Sequence, residues 1–477
     1  MMFIKSICIS NFKGFIGEDH TINFNIPNGN SGSGLNIFVG ENNSGKSTVF
    51  EAIDFLRNGT KDENICLIKS KLDNGSQPND SSVEMVFCGD VENTITNFVQ
   101  NNKQNAFLDL LDNKELKAKR DSSSIKKLWL WNKTEYTNPS GIDAPFKSMF
   151  ETNFIWADTN PNNEASFGAT TLCGLLLKEI AKSHINSEEY SNFLSSFHQV
   201  FNSSDSELRK QIAIIEEKVQ RIFTDQFGQA NIYFQFEELK IDSFFKNTSI
   251  FINDGVDIPM SEKGNGMQRS LALALLQVYA EELAVSQNTN LAKPFYLFID
   301  EPEICLHPKG QTKLLKSLLE ISKTKQVFLT THSPYFLSTP ELKHIGLFIF
   351  TKNGISNAVE NSSSTPMFPW SPTWGEINFK AYKLPTVELH NELYGKLQSD
   401  SGNFTEKMFE QWLISKGLQA NKKWTRECQG SPKTPQKVTL QTFIRNHIHH
   451  PENQTMKNNL YTESELFQSI QEMINLL

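Results

Sequence analysis

The nine residues "GENNSGKST", Gly40 to Thr48, constrain this chain more than any other stretch. An apolar run, "LNIFV" at Leu35 to Val39, precedes them and reads as a short buried strand, and "STVFEAIDFL" follows and reads as a helix. At the junction, Gly40-x-x-x-x-Gly45-Lys46-Ser47 is the full phosphate-loop pattern. The glycines let the backbone N–H groups of the loop, through Asn43 and Ser44, curl around phosphate oxygens. Lys46 places a point charge on the β- and γ-phosphates, and the Ser47 hydroxyl enters the shell of a magnesium ion. The helix beginning at Ser47 and Thr48 aims its positive end at the same phosphates. ATP and Mg2+ are therefore the expected cofactors, and the expected fold class is α/β.

Three further stretches fit that start. In "PFYLFIDEPEICLHP" an aromatic and aliphatic run ends in Asp300-Glu301, as a buried parallel strand would. There Asp300 suits the magnesium side and Glu301 the attacking water, because neighbouring side chains point differently. "VFLTTHSPYFL" reads as a second buried strand running into His332, a histidine placed to sense the γ-phosphate by hydrogen bonding. In "MSEKGNGMQRSLALALL", Ser261, Gly264 and Gly266 form a loop ahead of an apolar helix starting near Met267, an arrangement that binds anions. Its expected use is the γ-phosphate held by another subunit, so that ATP joins a head-to-tail dimer.

With 477 residues the chain has room for two or three domains, and 36 phenylalanines are expected to fill cores and interfaces. A net charge of −8 argues against a surface devoted to nucleic acid. The six cysteines include no CxxC pair, which suits reduced thiols in a cytoplasmic protein. The opening "MMFIKSICISNFKGF" lacks the pattern of a secretory leader, and no run approaches the length of a membrane span.

Taken in order, "ICISNFKGF", "VGENNSGKST", "SEKGNGMQRSLALALL", "LFIDEPEICLHP" and "TTHSPYFL" resemble the ATPase module of the overcoming-lysogenization-defect (OLD) family, within the ABC class of RecF, SMC and Rad50 heads. The resemblance covers roughly residues 1–100 and 245–350. It implies nucleotide and metal binding by Lys46 and Ser47, a metal-side acid at Asp300, a catalytic base at Glu301 and a switch histidine at His332. It further implies a signature loop at Ser261, Gly264 and Gly266, a Q-loop glutamine for which Gln77 is the candidate, and an approach of Lys13 to the nucleotide.

The expected layout is an ABC-type P-loop ATPase head split by a helical insertion and followed by a mostly helical domain. It runs as residues 1–100 with the phosphate loop, 101–245 as an insertion used for self-association, 246–352 with the signature loop and Asp300, and 353–477 as the helical domain. Two stretches of the insertion, "LCGLLLKEIAKSH" and "SELRKQIAIIEEKVQRIFTDQF", carry helical patterning. OLD nucleases carry a Toprim nuclease after the ATPase, which needs a glutamate and a strand ending in DxD. The nearest stretches here, "DSSS", "DNKE" and "QSDSG", follow no strand. The chain then resembles the ATPase of the two-gene Septu anti-phage systems, whose nuclease is a separate HNH-type partner. That implies a homodimer or higher oligomer, nucleic acid reached through the partner, and no membrane. A RecF-like repair ATPase is the runner-up.

One cluster stays open at this level. "FIRNHIHHPENQ" holds Arg445, His447, His449 and His450. Its histidines suit a helix end, where cations complement the negative pole, or a partner-docking surface. Arg445-Asn446-x-x-x-His450 also fits the R-N-x-x-x-H pattern of HEPN ribonucleases, with arginine on the phosphate and histidine as base. Metal binding is the third reading.

Overall fold

The computed structural model describes residues 1–17, 20–60, 80–157, 187–227, 250–264, 293–362, 366–428 and 431–477, with scattered positions between 231 and 278. The chain divides into two compact units: residues 1–157 with 286–477, and residues 158–285.

In the first unit, the amino-terminal portion contributes strands β1 (Met2–Ser10), β2 (His20–Asn23) and β3 (Leu35–Gly40), helix α1 (Lys46–Asn58) and strand β4 (Ser82–Gly89). Helices α2 (Val91–Phe98) and α3 (Asn101–Leu108) lead to β5 (Leu116–Asp121), β6 (Trp129–Trp131), β7 (Tyr136–Thr137), α4 (Asp143–Met149) and β8 (Glu151–Ile155). An antiparallel sheet runs in the order β2-β1-β4-β5-β6-β7. Its inner face follows the strand period of two: in β4 every second residue, Val83, Met85 and Phe87, is fully buried.

The second unit, described by itself, contains helices α5 (Glu188–Phe201) and α6 (Glu207–Phe227) and a ribbon of β9 (Phe251–Asn253) and β10 (Asp257–Pro259). The patterning of "SELRKQIAIIEEKVQRIFTDQF" does produce a helix, and its apolar row Leu208, Ile215, Val219 and Ile222 is exposed. The stretch "LCGLLLKEIAKSH" and Gln77 lie outside the described residues.

Returning to the first unit, β11 (Phe295–Asp300), α7 (Pro308–Ile321), β12 (Gln326–Thr330), β13 (Gly346–Asn353) and β14 (Ser356–Asn361) complete a second sheet, ordered β14-β13-β3-β12-β11-β8. The five strands from β13 to β8 are parallel and β14 is an antiparallel edge. Strands β3, β11 and β12 are buried at every position, as unbroken apolar runs covered on both faces must be. Much of the phenylalanine content lies here: the Phe298 ring stacks on Phe328 at 4.7 Å and on Phe154 at 4.5 Å, and Phe24 meets Phe328 edge-on at 5.0 Å.

The two sheets are also tied by polar bonds. Gln326, fully buried at the start of β12, accepts from the Ile4 N–H and donates to the Ile4 carbonyl, both at 2.7 Å. Ile4 lies beyond the residues of β1 that pair with β2. Tyr296 of β11 donates from its hydroxyl to the Met2 carbonyl at 3.0 Å.

The carboxyl-terminal residues form helices α8 (Trp374–Tyr382), α9 (Val387–Asp400), α10 (Glu406–Ser415), α11 (Leu440–His449) and α12 (Glu463–Ile474). Two ribbons stand among them: β15 (Lys422–Trp424) with β18 (Gln436–Val438), and β16 (Glu427–Cys428) with β17 (Ser431–Pro432). Leu389, Leu393, Phe409, Phe443, Ile470 and Met473 centre a separate core.

The boundaries differ from those expected. Strands β5 to β8, placed beforehand in a helical insertion from residue 101, belong to the two sheets, and because β5 ends in Asp121 the stretch "DSSS" does follow a strand, contrary to expectation. The buried Arg120 of β5 fixes them there, donating to the Leu56 carbonyl at the end of α1 at 3.1 Å and to Asp143 of α4 at 2.5 Å. The second unit instead spans 158–285 and contains the loop at Ser261. The boundary expected at 353 also moves, since β14 still belongs to the parallel sheet and the helices follow it.

Candidate functional site

Because β3, β12 and β11 are adjacent and parallel, their carboxyl ends share one edge, and the phosphate loop, His332 and Asp300-Glu301 all leave the sheet there. Ligands of open α/β sheets bind at such an edge.

The phosphate loop uses its glycines under steric compulsion. Gly40 has φ +154, and a Cβ there would stand 2.2 Å from the Phe350 carbonyl oxygen of neighbouring β13. Gly45 has φ +97, and its Cβ would meet Asn357 Nδ2 at 2.3 Å. Asn43 takes a positive φ of 62°, which asparagine tolerates better than most residues. Lys46, 4% exposed, donates from Nζ to the carbonyls of Gly40 and Glu41, both at 3.0 Å. Burial holds its pKa below the usual lysine range, against the opposing pull of Glu301, Asp300 and Glu303. Ser44 Oγ is buried without a partner.

Ser47 Oγ donates to Asp300 Oδ1 at 2.8 Å, and the same oxygen accepts from Thr330 Oγ1 at 2.5 Å. Glu301 is held in the left-handed region, φ 46, where its N–H meets the Thr330 carbonyl at 3.1 Å and hydroxyl at 3.0 Å. That turn sends adjacent carboxylates in different directions. Glu301 Oε1 lies 3.4 Å from His332 Nε2, and the His332 N–H donates to Glu303 Oε1 at 2.5 Å. Burial, then the Lys46 charge, lowers the His332 pKa, so the imidazole is neutral at neutral pH. Burial raises the Glu303 carboxyl.

A cavity of about 660 Å³ opens on this edge, lined among others by Lys13, Asn43, Lys46, Ser47, Thr48 and Glu301. Lys13, from the "NFKGF" turn, pairs there with Glu51 of α1. Asn357 of β14 packs against both Gly14 and Gly45, joining that turn to the phosphate loop.

In the second unit, Ser261 lies in a single 3₁₀ turn, Met260–Glu262, and is exposed. The Gly264 carbonyl accepts from the Met267 and Gln268 N–H groups at 2.9 and 3.2 Å, and a Cβ on Gly264 would meet nothing within 4 Å. Gln268, 2% exposed, donates to the carbonyls of Lys263 at 2.7 Å and Ser261 at 3.2 Å and so braces the loop. Gly266 lies outside the described residues.

The histidines of "RNHIHH" point to different surroundings. His447 sits among Phe443, Trp424 and Tyr461, with ring centroids at 4.6, 5.0 and 5.9 Å, and burial lowers its pKa. Arg445 pairs with Glu406 at 3.7 Å and donates to Asn446 at 3.0 Å. His450 follows the end of α11 and pairs with Glu452 at 3.2 Å. Among the described residues no group of three His, Cys, Asp or Glu side chains is arranged to hold a metal ion.

Several neighbours escaped the sequence reading: Thr330, Glu303, Asn357, Gln268, and Tyr382 at the end of α8. Thr330, Glu303 and Gln268 lie within two residues of recognised positions, which is the one signal that could have found them. Asn357 and Tyr382 reach their sites through folding alone.

A parallel sheet presenting a phosphate loop, an acid pair and a histidine at one edge, joined to an antiparallel sheet and a helical region, defines a P-loop ATPase. The AAA ATPase domain model (AAA_15) matches residues 2–337, and the chain belongs to that family and is an ATPase. It is 25% identical over 325 residues to the Old nuclease of Escherichia phage P2, covering 63% of this chain and 53% of that protein. It is 23% identical to Endonuclease GajA of Bacillus cereus (strain HuB5-5), covering 88% of this chain and 71% of GajA. The chain thus spans about half the length of the Old nuclease. Among solved structures it is similar to an SMC head bound to the C-winged helix domain of ScpA, with a TM-score of 0.45, 14% identity, and coverage of 75% of this chain and 97% of that one. The SMC head domain from Thermotoga maritima matches with a TM-score of 0.35, 16% identity and coverage of 75% and 98%. Among the described residues no helix is long and apolar enough to cross a membrane.

Proposed function

We propose that this chain is the ATP-hydrolysing component of an anti-phage defence system and gates a nuclease through ATP-dependent assembly. The observation that carries the reading is the pairing of Ser47 with Asp300 beside the Glu301–His332 pair, on three adjacent strand ends. A hydroxyl and a carboxylate are the hard oxygen donors that magnesium takes, so Ser47 and Asp300 fit it. Bound there, Mg2+ would neutralise charge on the β- and γ-phosphate oxygens.

The protein's own groups would divide the remaining work. Lys46 and the backbone N–H groups from Asn43 to Thr48 hold the phosphates. Glu301 Oε1 orients the attacking water and takes its proton. His332, neutral and 3.4 Å from Glu301, hydrogen-bonds at the γ-phosphate position. Ser261 and Gly264, with Gly266, cover the γ-phosphate of a second copy, and the exposed row on α6 serves self-association.

The defence role draws support from the similarity to two proteins named as nucleases, and the finer reading is the ATPase of a Septu-like pair with a separate HNH-type nuclease. The test is turnover and light scattering on the purified chain with ATP, with and without magnesium. Magnesium-dependent hydrolysis and a mass that rises with ATP support the proposal. Neither response, in protein shown to be folded, would overturn it. Stimulation of hydrolysis by duplex DNA ends would favour the RecF-like role instead.

A further inference from the structure

Three polar atoms at or beside the phosphate edge, Ser44 Oγ, Glu303 Oε2 and Tyr382 Oη, are shielded from solvent without a hydrogen-bond partner, and a fourth, His332 Nε2, has only the 3.4 Å approach of Glu301 Oε1, too poorly aligned for a hydrogen bond. Buried polar groups are nearly always paired, so a cluster of orphans marks a place that awaits a ligand or a rearrangement. Three of the four belong to the phosphate loop or to the ends of β11 and β12. Tyr382 does not: it is the last residue of α8, from the helical carboxyl-terminal region.

Its ring stands 5.9 Å from that of His332, the planes inclined by 34°. Burial pushes the Tyr382 hydroxyl up to about 12, helped by the Glu303 and Glu301 carboxylates, while the Gly40 backbone pulls the other way without completing a hydrogen bond. The phenol is therefore within electrostatic reach of the phosphate loop and of both acidic residues. Among the described residues, Tyr382 is the one aromatic ring against His332.

Helix α8 has little freedom to move alone. Thr373 caps its start and donates to Glu392 of α9 at 2.7 Å. A Cβ on Gly375 would stand 2.9 Å from the Leu389 backbone, so α8 and α9 are in direct backbone contact. The Glu376 carboxylate, 1% exposed, bonds Ser371 at 2.5 Å and Lys380 at 2.9 Å.

We propose that Tyr382 is a positioning residue of the ATPase site: its ring sets the orientation of His332 and, through the coupled α8 and α9, makes the helical carboxyl-terminal region responsive to the nucleotide. This rests on the reading that ATP occupies the phosphate loop. The energetic basis is direct, since an aromatic contact that differs between two orientations of His332 biases both the ring and the helix carrying Tyr382.

The experiment uses the full chain and three readouts: equilibrium binding of a fluorescent ATP analogue, steady-state hydrolysis, and amide exchange over residues 374–397 with and without ATP. In the unaltered protein ATP slows that exchange. Tyr382→Ala abolishes the slowing and lowers kcat about tenfold with KM shifted less than about twofold. Tyr382→Phe recovers most of the rate, and His332→Ala with Tyr382→Ala loses no more than His332→Ala alone. Tyr382→Leu fills the site without an aromatic face and repeats the test if the alanine variant fails to fold. Additive losses, or ATP-dependent slowing intact in both variants, overturn the inference. Absence of analogue binding to the folded, unaltered protein would instead remove the phosphate-loop reading, and this proposal with it.

Discussion

Ser47 Oγ and Asp300 Oδ1 are hydrogen-bonded at 2.8 Å although 253 positions separate them in the chain. The bond spans from the first turn of α1 to the end of β11, and Thr330 at the end of β12 contributes its hydroxyl to the same oxygen. Asp300→Asn retains the shape but removes the negative charge of that centre. Hydrolysis is expected to fall at least a hundredfold while analogue binding weakens far less, a comparison that steady-state turnover and fluorescence titration supply.

Glu301→Gln removes the base and leaves the metal side intact. The expected loss is about 10²–10⁴ in kcat with ATP retained on the protein, measured by single-turnover hydrolysis and filter retention. Undiminished turnover would assign the base elsewhere.

Gln326→Leu tests the bond between the sheets. It strands the N–H and carbonyl of Ile4, both buried, at roughly 1–3 kcal/mol each. The denaturant midpoint should drop accordingly, and a shift no larger than that of a surface substitution would show that water or a neighbour replaces the amide.

His390 gives the helical region a pH dependence. It is fully buried, bonds Ser469 at 3.0 Å, and burial pushes its pKa down to about 3 from 6.5, with His449 adding to the fall. A depressed folded pKa means that the unfolded chain binds the proton first. Stability is therefore complete above about pH 6.5 and declines as pH falls toward 3, by roughly 2.5 kcal/mol at pH 4.5. His390→Gln should flatten that slope in urea titrations between pH 7 and 4.5, whatever it costs at pH 7.

Arg445 and His450 are engaged with Glu406 and Glu452, so the purified chain is expected to leave labelled RNA uncut with or without ATP. Cleavage abolished by His450→Ala would reinstate the ribonuclease reading.

Much of the site was legible in advance because phosphate binding imposes local demands. Gly40 and Gly45 must be glycine for reasons of φ and close approach, and those demands leave a fixed spacing. The acid pair and His332 follow unbroken apolar runs, which a buried parallel strand requires. The sheet assignment of β5 to β8 was not legible, because "KLWLWNKTEY" and its neighbours alternate too briefly to signal strands.

The sequence alone determined that a phosphate loop, an acid pair and a histidine exist and that each ends a strand, since these depend on nearest neighbours in the chain. Only the tertiary structure decided that β3, β12 and β11 lie side by side, that Asn357 wedges between Gly14 and Gly45, and that Tyr382 reaches His332 from the end of α8. Those contacts arise from strand order and helix packing, where the energy comes from surfaces buried between segments that no local pattern connects.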